Sequence, residues 1–391
     1  MKNLAQSPHF DEFFKGFKLN SQTFADYHYL TPEFRPSNLV DRENQTDKIW
    51  NNLLYAITHN SIPPNFFLYG LPGTGKTAAI DFILQRLSIY SNQNREPNFI
   101  AIYNNCALNN TPYRILFEIC NRLEIRLPQT GISTEAVYAR FMEATSHTSP
   151  LQIILFLDEL DFLFVKRKTG NDLLYKFTRF PSSLKNPIKI SILGITNDLN
   201  LKDSFDSRVW SSLSPEEIYF APYSVSQLQA ILYQRSKAFK PNVLQNGVIE
   251  LIAAHFTRNG DGDARRSIAV LRTAGEITDK EGASEVTVAH AKLALKKYTD
   301  IAKDEIIQTL PSQSKKILLA IQNTQKKYAA PVTGLIYSEY MQICQGLKTP
   351  ILGLRQFNNH VKNLEKLNLI NTESLHRGKS GNTRKITYYF S

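Results

Sequence analysis

The apolar positions of this chain change rhythm along its length, and each rhythm predicts a different kind of domain. Between Glu43 and Ile195, short apolar runs alternate with longer segments whose hydrophobic residues recur every three or four positions. Asn65 to Tyr69, Phe99 to Tyr103, Gln152 to Leu157 and Lys189 to Ile195 predict strands. Glu43 to His59, Lys76 to Tyr90 and Thr111 to Leu123 predict helices. Strands separated by helices imply a parallel sheet covered on both faces. From Val225 to Tyr298 the pattern is helical throughout, which marks a second unit. Beyond Lys303, helices over about Ser312 to Asn323 and Val332 to Gly346 lead to a third, in which Leu354, Phe357, Val361, Leu364 and Leu367 would form one buried face. Leu369 to Leu375 and Thr383 to Phe390 then read as two strands, joined by a Gly-, Ser- and base-rich turn over His376 to Asn382. Three helices and a hairpin predict a winged helix-turn-helix.

The chain ahead of the first helix has no clear periodicity up to about Asn20, and Leu30 to Arg42 carries two prolines in a polar setting. It reads as an extended lead-in. The expected organisation is a lead-in over 1–30, an α/β domain over 31–222, a helical unit over 223–302 and a winged helix over 303–391. A length of 391 residues accommodates that many cores, and 42% hydrophobic with 21% charged residues is the balance of a globular chain. There is no run of eighteen uncharged apolar residues and no signal-peptide pattern at the N-terminus. Cys106, Cys120 and Cys344 lack metal-ligand spacing and read as buried thiols in a reducing compartment, so a cytoplasmic, nucleoid-associated protein is expected.

Charge adds direction to this picture. The net charge is +11, and residues 301–391 hold 13 Lys plus Arg against 5 Asp plus Glu, a balance of +8. Positive charge concentrated in one domain is the electrostatic footprint of a nucleic-acid binder.

The most specific chemistry lies at Gly70 to Thr77, which reads Gly-Leu-Pro-Gly-Thr-Gly-Lys-Thr between an apolar strand and a helix. Glycines let backbone amides turn inward around phosphates, and the helix N-terminus adds the positive end of a dipole. The candidate nucleotide contacts are Gly70, Pro72, Gly73, Thr74, Gly75, Lys76, Thr77 and Ala78, with Lys76 on the β- and γ-phosphates and Thr77 on Mg²⁺. The ligand is read as ATP or ADP. Gly378-Lys379-Ser380 ends in a similar way, but Glu373 stands where the first glycine is needed, and no helix follows. The apolar run Ile153 to Leu157 ends in Asp158 and Glu159, where Asp158 would hold the Mg²⁺ shell and Glu159 would polarise water. Asn197, leaving the strand that ends near Thr196, would hydrogen-bond the γ-phosphate or that water.

These motifs together resemble those of an AAA+ ATPase, a parallel-sheet α/β domain with an all-helical lid. Asp206 to Leu213, Pro222-Tyr223, Gly262 to Arg266, Leu271 to Glu276, Asp158 to Leu163 and Leu174 to Arg179 narrow the resemblance. They are similar to the archaeal replication-initiator family related to the origin recognition complex and the cell-division-cycle helicase-loading factor. The resemblance spans roughly residues 30 to 390. It implies Arg265 as a lid sensor on the γ-phosphate, with Arg266 as the alternative, and Tyr223 among the nucleotide contacts. Arg208 would be either a finger acting on a neighbouring copy's ATP or a salt-bridged surface residue. Asn104 to Leu123 resembles a helical insertion that touches DNA, although Arg114 and Arg122 are its only basic residues. Asn38 to Glu43 resembles the lead-in near adenine.

In a winged helix the third helix enters the major groove and the wing reaches the backbone or minor groove. Arg355, Asn358, Asn359 and Lys362 are residue types that read base edges, Lys366 would meet phosphate, and Arg377, Lys379, Arg384 and Lys385 would serve the wing. The reading that follows is an ATP-switched initiator on double-stranded origin DNA that recruits or loads the replicative helicase, with other initiator copies as further partners. A nucleotide-gated transcription regulator and a clamp-loader-like ATPase remain the alternatives.

Overall fold

The computed structural model describes residues 21–94, 99–128, 131–146, 152–164, 169–179, 188–258, 260–328, 331–367, 369–376 and 382–388. The chain divides into two compact units, Met1–Ala294 and Leu295–Ser391.

In the first unit β1 (Phe66–Tyr69) sits inside a five-stranded parallel sheet. It is preceded by α1 (Glu43–Thr58) and followed by α2 (Lys76–Gln93), β2 (Phe99–Asn105), α3 (Pro112–Arg122), α4 (Thr134–Ser146), β3 (Gln152–Asp158), α5 (Thr169–Arg179), β4 (Lys189–Thr196), α6 (Ser207–Leu213) and β5 (Glu216–Tyr219). The strand order is β2-β3-β4-β1-β5. Because side chains alternate along a strand, each strand feeds both faces. Phe66, Leu68, Ile154 and Phe156 pack with Ile49 and Leu53 of α1 and Ile80 and Ile83 of α2. Phe67, Tyr69, Ile153, Leu155 and Leu157 pack instead with α3, α4, α5 and α6. Every position of β1 and β3 is buried, as expected when helices cover both sides.

Register brings the functional edge into line. Tyr69 pairs with Thr196, Leu157 with Gly194 and Asn105 with Asp158, so β1, β4, β3 and β2 end together. Ligands of open α/β sheets bind at this carboxyl edge, where the strand order switches direction.

The helical part of the first unit comprises α7 (Val225–Arg235), α8 (Val248–Thr257), α9 (Ala264–Glu281) and the start of α10 (Val288–Thr309). A Ser224–Gln227 capping box starts α7. The lead-in docks on this lid: Ala25 N–H and Asp26 N–H donate to the Ala238 carbonyl, Lys240 N–H donates to Thr23, and Thr23 N–H donates to Asp279. The Phe24 ring lies 5.1 Å from that of Phe239. Further along, Arg235 donates to the Tyr29 carbonyl and Gln234 to that of Asn38.

The second unit continues α10 and adds α11 (Ser312–Lys327), α12 (Thr333–Gly346) and α13 (Leu354–Lys366), followed by the antiparallel pair β6 (Ile370–His376) and β7 (Asn382–Tyr388). Ile317, Ile321, Ile336, Tyr340, Phe357, Val361, Leu364 and Ile386 form its core. The face expected on α13 is narrower than its spacing implied. Phe357, Val361 and Leu364 are buried, but Leu354 is 54% exposed and Leu367 41%, because the helix reaches past the core at both ends. The turn between the hairpin strands lies outside the described residues. All three cysteines are buried and unbridged, and among the described residues no helix is long and apolar enough to cross a membrane.

Candidate functional site

The loop from Gly70 to Gly75 leaves β1 at the aligned edge and turns into α2. Gly73 and Gly75 adopt left-handed backbone angles, φ +75° and +92°, that disfavour a side chain. Each is also crowded. A Cβ on Gly73 would lie 1.9 Å from Asp263 Oδ1, and one on Gly75 would lie 2.4 Å from the Tyr223 hydroxyl. Thr74 is buried and its hydroxyl donates to the Leu71 carbonyl at 2.8 Å. Pro72 is exposed, and Thr77 and Ala78 are half-buried on the first turn of α2.

Lys76 is only 5% exposed, and its ammonium donates to the Gly70 and Leu71 carbonyls at 2.7 and 2.8 Å. Burial pulls its pKa down to about 8; Asp158 opposes that shift and the charge of Arg265 adds to it. Lys76 therefore lies in the fields of both the strand carboxylate and the lid arginine.

Thr77 Oγ1 donates to Asp158 Oδ2 at 3.1 Å, joining the two oxygen donors expected around Mg²⁺. The Tyr103 hydroxyl donates to the same oxygen at 2.9 Å, and the Glu159 amide holds Oδ1 at 2.8 Å. Asp158 is thus buried with both oxygens fixed. Glu159 has φ +54°, a conformation uncommon for a residue with a side chain and concentrated at functional sites. Thr196 donates to Asp161 at 2.9 Å, and Asn197, exposed, follows directly at the end of β4.

The lid closes on the loop through the start of α9. Asp263 caps that helix by accepting from the Arg266 amide, and the Ala264 amide donates to the Gly73 carbonyl at 3.1 Å. Arg266 is paired with Asp263 at 3.2 Å, whereas Arg265 is exposed and has no ion pair among the described residues. Arg208 on α6 is likewise exposed and without an ion pair among the described residues. Arg122 pairs with Glu118, and Arg114 donates to the Leu108 carbonyl. The few cations of the α3 region therefore have partners within it.

In the second unit Thr333, Gly334, Leu354, Arg355, Asn358, Asn359, Lys362 and Arg384 line one open groove of about 810 Å³. Five of the residues expected at the nucleic-acid interface thus share one concavity. Lys366 is exposed on the same helix, and Lys385 faces Glu373 across the hairpin at 3.9 Å. Arg377 and Lys379 lie outside the described residues.

Three family models match in succession: an AAA domain over residues 63–200, the Cdc6 AAA+ ATPase-type lid domain over 229–296 and the CDC6 C-terminal winged helix domain over 305–389. An ORC1-type DNA replication protein of Pyrococcus horikoshii is 36% identical, covering 98% of this chain and 91% of its own length. The chain belongs to the ORC1-type DNA replication protein family. A Thermococcus kodakarensis member is 38% identical over 93% of this chain and 87% of its own. The Aeropyrum pernix ORC1 protein, solved in complex with DNA, matches with a TM-score of 0.71 at 34% identity, covering 95% of this chain and 94% of that one. Cdc6p from Pyrobaculum aerophilum shares the fold, with a TM-score of 0.61 at 21% identity.

Sequence reading of this ORC1-type chain missed residues that the fold brings to the site. Tyr103 was legible only as a strand residue, yet it donates to Asp158. Asp263 stood out only as a neighbour of Arg265, yet its carboxylate packs on Gly73. Arg42 fell within the lead-in, and its guanidinium reaches the Thr74 carbonyl. The Asp263 cap had a usable local signal, an Asp ahead of a helical run. The contact of Tyr103 had none, and Arg42 was placed only through the resemblance of Asn38 to Glu43 to a lead-in near adenine, with nothing to mark its bond to the loop.

Proposed function

We propose that this ORC1-type chain is an ATP-switched, DNA-binding replication initiator. The observation that carries the reading is the start of the lid helix hydrogen-bonded to the phosphate loop, Ala264 N–H to Gly73 O at 3.1 Å. A loop in direct contact with a lid can exchange nucleotide state for lid position, because binding energy differs between two arrangements.

In this reading the loop amides, Lys76 and the α2 N-terminus hold the phosphates. The neighbouring oxygens of Thr77 and Asp158 are hard donors that suit Mg²⁺, which when bound would neutralise phosphate charge. Glu159 polarises the attacking water and Asn197 orients it or the γ-phosphate. Arg265 reports γ-phosphate to the lid, and Arg208 acts on ATP of a neighbouring copy. Slow hydrolysis serves as a timer. The winged-helix groove, with Arg355, Asn358, Asn359, Lys362 and Arg384, takes duplex DNA, and the relative solved with DNA supports that assignment. Recruitment of the replicative helicase follows from the same role, in a cytoplasmic, nucleoid-associated setting.

The test is to map the chain across its own genome, with the native sequence and with Lys76→Ala. Occupancy confined to one or a few replication start regions, and altered by the substitution, is expected. Scattered promoter occupancy without a replication defect would favour the regulator instead. Binding with no sequence preference would point to a clamp-loader-like machine.

A further inference from the structure

Arg42 is 3% exposed, and among the described residues no carboxylate lies within ion-pairing distance. Its guanidinium is satisfied by carbonyl oxygens. Nε donates to Thr74 O at 3.0 Å, Nη2 to Ala221 O at 2.6 Å and Nη1 to Asp41 O at 3.3 Å. The same plane lies 4.1 Å from the centre of the Tyr223 ring. The side chain starts from a fixed point, because Arg42 caps α1 and its carbonyl accepts from both the amide and the hydroxyl of Thr46.

The acceptor on the loop matters most. A trans peptide is planar, so the carbonyl of one residue and the N–H of the next point in opposite directions. A donor that holds Thr74 O on the outside of the loop therefore turns Gly75 N–H to the inside, where phosphates bind. The Ala264 amide does the same one residue earlier, holding Gly73 O outward and so turning Thr74 N–H inward. One outward carbonyl is thus held by the lid helix and the next by Arg42.

The other end of the fork leads back to the lid. Ala221 lies in the connector between β5 and α7, Tyr223 N–H donates to Gly262 O at 3.2 Å, and the Tyr223 hydroxyl packs against Gly75. Gly262 leads directly into Asp263, which packs on Gly73. The contacts make a closed ring through loop, Arg42, connector, lid and loop. Movement of the connector would pull on the same guanidinium that orients Gly75.

We propose that Arg42 is a positioning residue of the nucleotide site, one that sets the Gly75 amide toward phosphate and makes that orientation depend on the lid connector. Lysine cannot replace it. A single ammonium offers no planar fork to satisfy both carbonyls and does not stack on Tyr223 in the same way.

The proposal rests on the nucleotide reading above, and its test separates the two. The full chain is loaded with a fluorescent ADP analogue, which is displaced by ATP, ADP or adenosine in the native protein, Arg42→Lys and Arg42→Met. Both variants should weaken ATP and ADP by a similar factor, about ten- to hundredfold, the scale of one lost hydrogen bond from a charged donor. Adenosine, which has no phosphate, should compete within about twofold of the native value, and methylguanidinium should restore part of the ADP affinity of Arg42→Ala. Native affinity for ATP and ADP in Arg42→Lys would overturn the proposal. So would equal weakening of all three ligands, or failure of both variants to fold, since either outcome would make Arg42 a general structural residue. A native chain that binds neither ATP nor ADP would instead remove the nucleotide reading itself, and this proposal with it.

Discussion

Substituting Gly73 by alanine tests whether the lid sits on the phosphate loop as described. Two costs combine at this position. Its φ of +75° places any L-residue in the left-handed region, at about 1–2 kcal/mol. The new Cβ would also fall 1.9 Å from Asp263 Oδ1, so the carboxylate must leave and α9 loses its cap, at about 1 kcal/mol. Reduced freedom of the unfolded chain returns about 0.5 kcal/mol. The net loss is about 2 kcal/mol, which for a unit that runs from Met1 to Ala294 lowers its melting temperature by about 3 °C. Gly282 supplies the control, with φ +68° and nothing within 4 Å of an added Cβ, so Gly282→Ala should show the backbone cost alone. Alanine at 263 removes both the clashing carboxylate and the cap. In an Asp263→Ala background, where neither is left to lose, Gly73→Ala should cost no more than Gly282→Ala does, a coupling of about 1 kcal/mol. Calorimetry of the four proteins in the cycle measures this directly. Equal losses from Gly73→Ala in both backgrounds would refute the contact between lid and loop.

Glu159→Gln should bind ATP with near-native affinity while turnover falls about 10²-fold or more, and unchanged turnover in a phosphate-release assay would remove Glu159 from the site. Phe357→Ala should cost the C-terminal unit about 3–5 kcal/mol in denaturant unfolding, whereas Leu354→Ala should stay within about 0.5 kcal/mol. Comparable losses would return Leu354 to the core. The Asp279 carboxyl is pushed up by burial but held lower overall by donors from Ser21 and Thr23. A depressed folded-state pKa means that its support for the docked lead-in is complete above the ordinary value of 3.8 and fades as pH falls through the lower folded value. Hydrogen-exchange protection of the Thr23, Ala25 and Asp26 amides should therefore drop in acid, and Asp279→Asn should abolish that pH dependence. Constant protection in the native chain would count against this account.

The phosphate loop was legible because all its signals are local: an apolar strand, glycines at fixed offsets, and a helix beginning at Lys76. The sheet was legible in class but not in full. β5 escaped because it has four residues, two of them Glu, and runs along the edge of the sheet, so neither alternation nor a long apolar run marks it. Periodicity also overstated the buried face of α13, since spacing gives direction around a helix and not how far the core extends along it. Leu354 and Leu367 have the right phase and no partner layer. Arg42 is the clearest case of information that spacing cannot hold. Its acceptors are backbone carbonyls on Thr74 and Ala221, and any residue would present the same oxygen there.

The docked lead-in also has a consequence for how the chain is made. Thr23 leaves the ribosome well ahead of the carboxylate that receives its amide, which belongs to Asp279, 256 residues later. At roughly 5–20 residues per second that separation is about 13–50 s of synthesis. The sheet can form once Tyr219 has emerged, while the N-terminal segment still has no surface to pair with. The Ala25 and Asp26 amides must wait for Ala238 and the Phe24 ring for Phe239, and the Thr23 amide waits longer still, until α9 has delivered Asp279. The newborn protein therefore passes through a period in which residues 23–26 are open to chaperones, or to the lid of a neighbouring chain, before they reach their own.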